Sequence, residues 1–405
     1  MFDVRDHGAV GDGTADDTRA LQSALDDAQG GGTVQIPRGR YKLTEALIVR
    51  SGTRIVADDA YLYAHGVHKL LQNFANTDVF PGYSGNSEIT VQGGIWDGRG
   101  HLAPDGEISN VMGFIHARDI TVHDVVVRNV TGYHGLEFNA VAGARAVNCR
   151  FEGYRRNGAS FPREAVQVDI ALPGSADIGE FDGTYTKDVV VEGCYAGPAT
   201  DGSGLGPFGA LMGSHTSNGE GYYEGIRVVD SRCEGSTLYG IQAEAWRNGV
   251  ITGNEITDTT GTAIYVHHGV GGVISGNTVR GPGSNGVNVT RQGGVRVADN
   301  TIDTPTGDSG SYCVYLNHVT DGRIEDNLLR GGPTAGLKFA IGTTDTVVRA
   351  NTFRRDGGSP HAVIADAGEG TTNTVVDNDF TDYGDGPEVI DVRSGTVRTS
   401  LAEDS

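Results

Sequence analysis

Apolar and polar residues alternate in short runs along most of the chain, the period of a β-strand with one face buried. The clearest copies are VITGNEI, VISGNTV, VRVADNTI, RIEDNLL, VVRANTF and VVDNDF, which set Asn254, Asn277, Asn300, Asn327, Asn351 and Asn378 at one recurring position. The spacings between these asparagines are 23, 23, 27, 24 and 27 residues. Asn129, Cys149, Cys194 and Ser231 take the same place in VVVRNV, AVNCRF, VVEGCY and VVDSRC. A further strand precedes each copy, from GLEFN and AVQVD through ALMGS, GIQAE, AIYVH, GVNVT, CVYLN and GLKFA to AVIAD.

A unit of 23 to 27 residues cannot close a hydrophobic core by itself, but a stack of such units can. The connectors are too short and glycine-rich for the crossover helices of a doubly wound sheet, and the period is too short for a propeller blade. The pattern predicts an all-β fold, a single-stranded right-handed parallel β-helix. In it the asparagines form a ladder from turn to turn, and Cys149 and Cys194 are small buried substitutes. The opening FDVRDHGAVGDGTADDTRALQSALDDA reads as a strand, an acidic glycine turn and an amphipathic helix. Asp16 or Asp17 is its N-cap and Ala20, Leu21, Ala24, Leu25 and Ala28 its apolar face, suited to capping the open end of the stack. The expected organisation is one domain over residues 1–395, with the strand and capping helix in 1–45 and coils in 46–395, then a tail at 396–405.

Composition narrows the class of protein. The 63 glycines among 405 residues follow no Gly-X-Y period, so collagen is excluded. At 37% hydrophobic and 20% charged the chain can bury a core. A net charge of −21 repels nucleic acid and anionic membranes, and no apolar run approaches the ~18 residues of a membrane span. The four cysteines show no CxxC spacing, and no metal-ligand or cofactor motif stands out. DNDFTDYGDG (Asp377 to Gly386) is acidic but lacks the EF-hand pattern, so calcium is left open and no cofactor is expected. The first residues, MFDVRDHGAV, show no basic-then-apolar signal region, which leaves the compartment undetermined.

The preceding strands also set out two outward columns. One reads Glu137, Gln167, Leu211, Gln242, Tyr265, Asn288, Tyr315, Lys338; the next reads Asn139, Asp169, Gly213 with His215 just beyond, then Glu244, His267, Thr290, Asn317. Carboxylates, imidazoles, amides and aromatics on consecutive coils suit a groove for a long polar chain. Glu164, Asp169, His215 and Glu244 are the candidate catalytic groups, because two carboxylates and a histidine in one cleft can divide acid and base roles. Gln167, Gln242, Trp246, Tyr265, His267, Arg291 and Lys338 are candidate substrate contacts, aromatics stacking on sugar rings and cations holding carboxylates. His134 and His318 read as turn or surface positions. The long insertions LPGSADIGEFDGTYT and PATDGSGLGPFG read as groove walls.

DHGAVGDGTADDTRALQSALDDA followed by GGTVQIPRGRYKL resembles the N-terminal signature of the pectate-lyase-like β-helix superfamily, and ITVQGGIWDGRG resembles a turn of the polygalacturonase family of glycoside hydrolases. The polygalacturonase catalytic motifs are not preserved: Pro207 and Phe208 stand where paired aspartates are expected, and Tyr239 where the histidine is expected. The resemblance implies a secreted carbohydrate-active enzyme, a glycoside hydrolase first of all. A polysaccharide lyase or uronate C5-epimerase with a His or Tyr base is the alternative, and a tailspike-like glycan-binding protein without catalysis is the third reading. The expected partner is a polysaccharide or oligosaccharide, with the chain a monomer or homotrimer.

Overall fold

The computed structural model describes residues 1–175, 177–303, 305–306, 310–356, 361–368, 371–383, 389–391 and 397–398. The fold is the right-handed parallel β-helix that the periodicity predicts, with one α-helix among the described residues. Contacts divide the chain into two compact units, Met1–Tyr223 and Glu224–Ser405. In each, successive coils contribute strands in turn to three long parallel sheets, in which a strand pairs with those one coil before and one coil after, except at the sheet ends.

The helix Thr18–Asp27 caps the first unit, burying Leu21, Ala24 and Leu25, with Ala28 at its end, whereas Ala20 is half-buried. Asp17 occupies the N-cap position without capping the helix by its side chain. Its carboxylate instead accepts from the backbone N–H groups of Val10 and Gly11 (2.6 and 3.1 Å), so the acidic turn is an internal brace.

The core of each unit is built from inward positions that stack in register. In the second unit Ile251, Ile274, Val297, Ile324, Val348 and Val375 form one such column, all essentially buried. Burying one such side chain stabilises the fold by about 1.5–3 kcal/mol, and stacking repeats that gain coil by coil. At the adjoining corner runs the asparagine ladder. Asn277 Oδ1 accepts from Asn254 N and Nδ2 (3.0 and 2.9 Å), and Asn300 Oδ1 accepts from Asn277 N and Nδ2 in the same way. The ladder continues through Asn327 and Asn351 to Asn378. The residue before each rung has positive φ, at Gly253, Gly276, Asp299, Asp326, Ala350 and Asp377. That left-handed corner explains much of the excess of Gly, Asp and Asn.

In the first unit Cys149 and Cys194 hold the ladder position as expected, their thiols bonding to carbonyl oxygens of the neighbouring turn. Asn129 does not. It lies inside the strand Val126–Thr131 with φ 54°, donating to Asp97 and Asp201, and the ladder place on that coil belongs to Val125. Of the segment read as a tail, Val397–Arg398 pair as a strand with Asn373 and Thr374; the rest lies outside the described residues, as do residues 384–386 of the acidic DNDFTDYGDG segment.

Replacing Asn300 by Ala removes the acceptor for the buried Asn277 N–H and should cost roughly 2–4 kcal/mol, on the scale of one or two unsatisfied buried groups. The measurement is the urea midpoint at unchanged slope, and a midpoint equal to wild type would contradict the role given to the ladder. Exposed Ala350 sits at φ 54° where other coils use Gly. Ala350→Gly should therefore raise stability by about 0.5–1 kcal/mol, relief of left-handed strain outweighing the entropy of glycine.

Candidate functional site

The first unit carries a cleft of about 330 Å³, lined among others by Asn110, Tyr133, His134, Glu137, Arg163, Asp169 and His215. Adjacent strands of one sheet build it: Leu136–Asn139, Glu164–Asp169 and Ala210–Ser214. Register sets Glu137 beside Gln167 and Asn139 beside Asp169. Gln167 pairs in turn with Gly213, not with Leu211. The outward column inferred from the sequence therefore slips by two residues on this coil; Leu211 is core, and His215 stands two residues beyond Gly213 as Asp169 does beyond Gln167.

Glu164 is 1% exposed and forms the floor of a histidine cluster. His215 Nδ1 lies 3.2 Å from its Oε1, and His134 Nδ1 lies 3.5 Å from its Oε2. The two rings face each other at 5.9 Å. Burial opposes charge on Glu164, but His215, by its charge and its hydrogen bond, pulls the other way and holds the carboxyl at about 2. Burial drives His134 down to about 3, against the pull of Glu164, so that ring is neutral. Burial also lowers His215, yet the Glu164 carboxylate outweighs it and leaves the imidazole above its ordinary range. Arg163 Nη1 approaches His215 Nε2 at 2.5 Å. That contact fits the neutral ring, with Nδ1–H donating to Glu164 and Nε2 accepting from the guanidinium; a proton on Nε2 requires Arg163 to move away.

Arg163 rests on the Phe161 ring, 4.0 Å from its centroid, and touches an imidazole rather than a carboxylate. Its Nε is buried without a hydrogen-bond partner. Across the cleft, Glu137 Oε2 accepts from Asn110 Nδ2 and Oε1 from Asn139 Nδ2. Burial, then the charges of Asp177 and Asp169, push Glu137 up to about 8, so it carries a proton at neutral pH. Burial raises Asp169 to about 6, opposed by His215 and by the N–H of Ile170 at 2.8 Å. Two carboxyl groups in one cleft thus ionise in separate pH ranges.

Glu164, Asp169 and His215 are brought together as the sequence suggests. Gln167 is wholly buried and donates to Asp169 Oδ2 at 3.4 Å, so it positions Asp169. Glu244, Gln242, Tyr265, His267, Arg291 and Lys338 belong to the second unit. There the columns Gln242–Tyr265–Asn288–Tyr315–Lys338 and Glu244–His267–Thr290–Asn317 stand as inferred. Tyr265 stacks on His267 at 4.4 Å, Arg291 donates to His268, and Lys338 lies 3.7 Å from Asp366. Trp246 is 2% exposed and has no free face for a sugar, correcting its reading as a substrate contact. His134, read as a turn or surface residue, is a buried member of the site. Its proximity to Glu164 crosses from one coil to the next and leaves no local motif. Glu137 was visible in the outward column, but only burial gives it a proton. Of the two insertions, Leu172–Thr186 lines the cleft through Gly174, Ser175 and Asp177. Pro198–Gly209 does not; Asp201 and Ser203 bind Asn129 instead.

Residues 1–199 match the family model described as rhamnogalacturonase A/epimerase, pectate lyase-like, and residues 214–302 and 239–400 match the right handed beta helix region. The chain is 24% identical over 284 residues to plasmin and fibronectin-binding protein A of Streptococcus pneumoniae, covering 62% of this chain and 38% of that protein. A crystal structure of PfbA, a surface adhesin of Streptococcus pneumoniae, superposes with a TM-score of 0.74 at 19% identity, over 89% of this chain and 92% of the other. Mannuronan C5-epimerase AlgE4 of Azotobacter vinelandii is 32% identical over 151 residues, 33% of this chain and 27% of the epimerase. The family 28 exopolygalacturonase of Yersinia enterocolitica shares the fold, with a TM-score of 0.61 at 14% identity over 94% of this chain and 78% of the other. The chain thus matches well under two thirds of the length of these curated relatives. Fold, coil period and family matches agree: the chain is a right-handed parallel β-helix whose residues 1–199 match a pectate-lyase-like family.

Proposed function

We propose that the cleft of the first unit hydrolyses glycosidic bonds in an acidic polysaccharide, with Glu137 as general acid and Asp169 as general base. The observation that carries this reading is the pair of buried carboxyl groups whose ionisation is split, Glu137 at about 8 and Asp169 at about 6. Between those values Glu137 holds a proton to give to the leaving oxygen, and Asp169 is free to take one from water. They stand on neighbouring coils, offset by two residues. Strand geometry sets their Cβ atoms roughly 8 Å apart, so both side chains reach into the same cleft. Arg163, with its unpartnered Nε and its support on Phe161, is suited to hold a uronate carboxylate. The Glu164–His215 pair keeps it there.

A second reading draws on the contact between Arg163 and His215. Arg163 would neutralise a uronate carboxylate while His215 Nε2 removes the C5 proton, giving lyase or epimerase chemistry of the kind named for the Azotobacter relatives. Incubation with a panel of acidic and neutral polysaccharides, reading reducing ends and ultraviolet absorbance together, separates the two. Hydrolysis raises reducing ends alone, and a lyase adds the absorbance of an unsaturated product. An epimerase gives neither signal but exchanges the C5 proton with deuterated solvent, and binding without any of the three supports an adhesive role.

For the hydrolytic reading, Glu137→Gln and Asp169→Asn should each lower kcat/KM by about 10²–10⁴ while the folded protein keeps its wild-type circular dichroism. Full activity in both variants refutes the assignment. The pH profile of kcat/KM should be a bell. Its acid limb lies near 6, where Asp169 gains a proton and is lost as base, and its alkaline limb near 8, where Glu137 loses the proton it donates. Residual activity of Glu137→Gln should lack the alkaline limb.

A further inference from the structure

We infer that His134, Glu164 and His215 form a binding site for a borderline transition-metal dication, of the Zn²⁺ or Co²⁺ type, in the wall of the cleft. The inference goes beyond the hydrolytic reading and does not depend on it. Each residue offers one ligand atom, and these atoms all lie within 4.8 Å of one another. The carboxylate-to-imidazole separations are 3.2 and 3.5 Å. Bonds of about 2.0–2.2 Å to a tetrahedral ion place neighbouring ligand atoms roughly 3.4 Å apart, close to the carboxylate-to-imidazole separations; the two rings, stacked 28° from parallel, close on the ion by turning their nitrogen edges toward it. An independent observation points the same way: Glu164 Oε2 is buried without a hydrogen-bond partner, on a residue 1% exposed. His134 Nδ1 stands 3.5 Å from that oxygen without hydrogen-bonding it, and a cation between the two atoms would bind both. Two imidazole nitrogens with one carboxylate favour zinc, cobalt or nickel over calcium or magnesium. Both histidine rings line the cleft, so the remaining coordination position opens onto it.

Arg163 makes the proposal more specific. In the metal-free protein His215 donates from Nδ1 to Glu164 and accepts at Nε2 from Arg163, while His134 Nδ1 lies 3.2 Å from the Glu164 carbonyl oxygen. A metal on the two Nδ1 atoms shifts each ring proton to Nε2. His215 Nε2–H then faces the guanidinium donor-to-donor, so the ion and the Arg163 contact exclude each other.

The test is titration of the chelator-treated protein with Co²⁺, followed by visible absorption and calorimetry. The expected result is one saturable site with the intense absorption of four-coordinate cobalt, bleached by Zn²⁺. His134→Ala and His215→Ala should each abolish the band, with melting curves showing that the variants are folded; Glu164→Gln should do the same where it folds. His267→Ala, in the second unit, should leave the band unchanged. Arg163→Ala should tighten cobalt binding several-fold, because it removes the competing donor. Absence of a saturable band, its persistence in a folded His134→Ala protein, or weaker binding in Arg163→Ala would each overturn the proposal.

Discussion

A parallel strand gives half of its backbone groups to the coil before it and half to the coil after, so no coil is complete until its neighbours are in register. This dependence governs the rest of the protein. It aligns Ile251 with Ile274 and Val297, and it lets the amides of Asn254, Asn277 and Asn300 meet. It also sets one outward side chain beside another at a spacing of about 4.8 Å. The cleft in the first unit is a local result of the same rule, since residues from separate coils become neighbours whenever they share a column.

The fold was legible because the corner that closes each coil has a fixed chemistry: a left-handed residue followed by Asn or a small substitute. The outward columns were legible in the second unit, where coils of nearly constant length keep Gln242, Tyr265, Asn288, Tyr315 and Lys338 in step. They slipped by two residues at Ala210–Ser214, where Leu172–Thr186 and Pro198–Gly209 enter the preceding coil; a shift of two keeps the same face outward, so the alternation of the strand does not mark it. Asn129 misled for a related reason. Asparagine tolerates a left-handed backbone inside a strand as readily as it serves at a corner, and VVVRNV alone does not separate the two.

The chemistry of the cleft was less legible, because it arises from burial and from contacts between coils. Sequence shows Glu137, Glu164 and Asp169 as three acidic residues of one kind. The fold makes them different. Glu164 sits against two imidazoles and is held ionised, whereas Glu137 faces other carboxyl groups and retains its proton. Asp169 lies between these extremes, with Gln167 and the Ile170 N–H supporting its charge. In a chain of net charge −21, such local sorting sets which acid group keeps its proton and which is ionised.

The self-propagating corner has an evolutionary consequence. A whole coil whose ends carry matching rungs can be gained or lost as a cassette, because the strands on either side meet identical partners after the change. Residues 254–351, with their unbroken asparagines, are open to growth or shrinkage by that route. The stretch from Asn110 to His215 is not: deleting a turn between His134 and Glu164 would break the register that sets them together and dismantle the cluster.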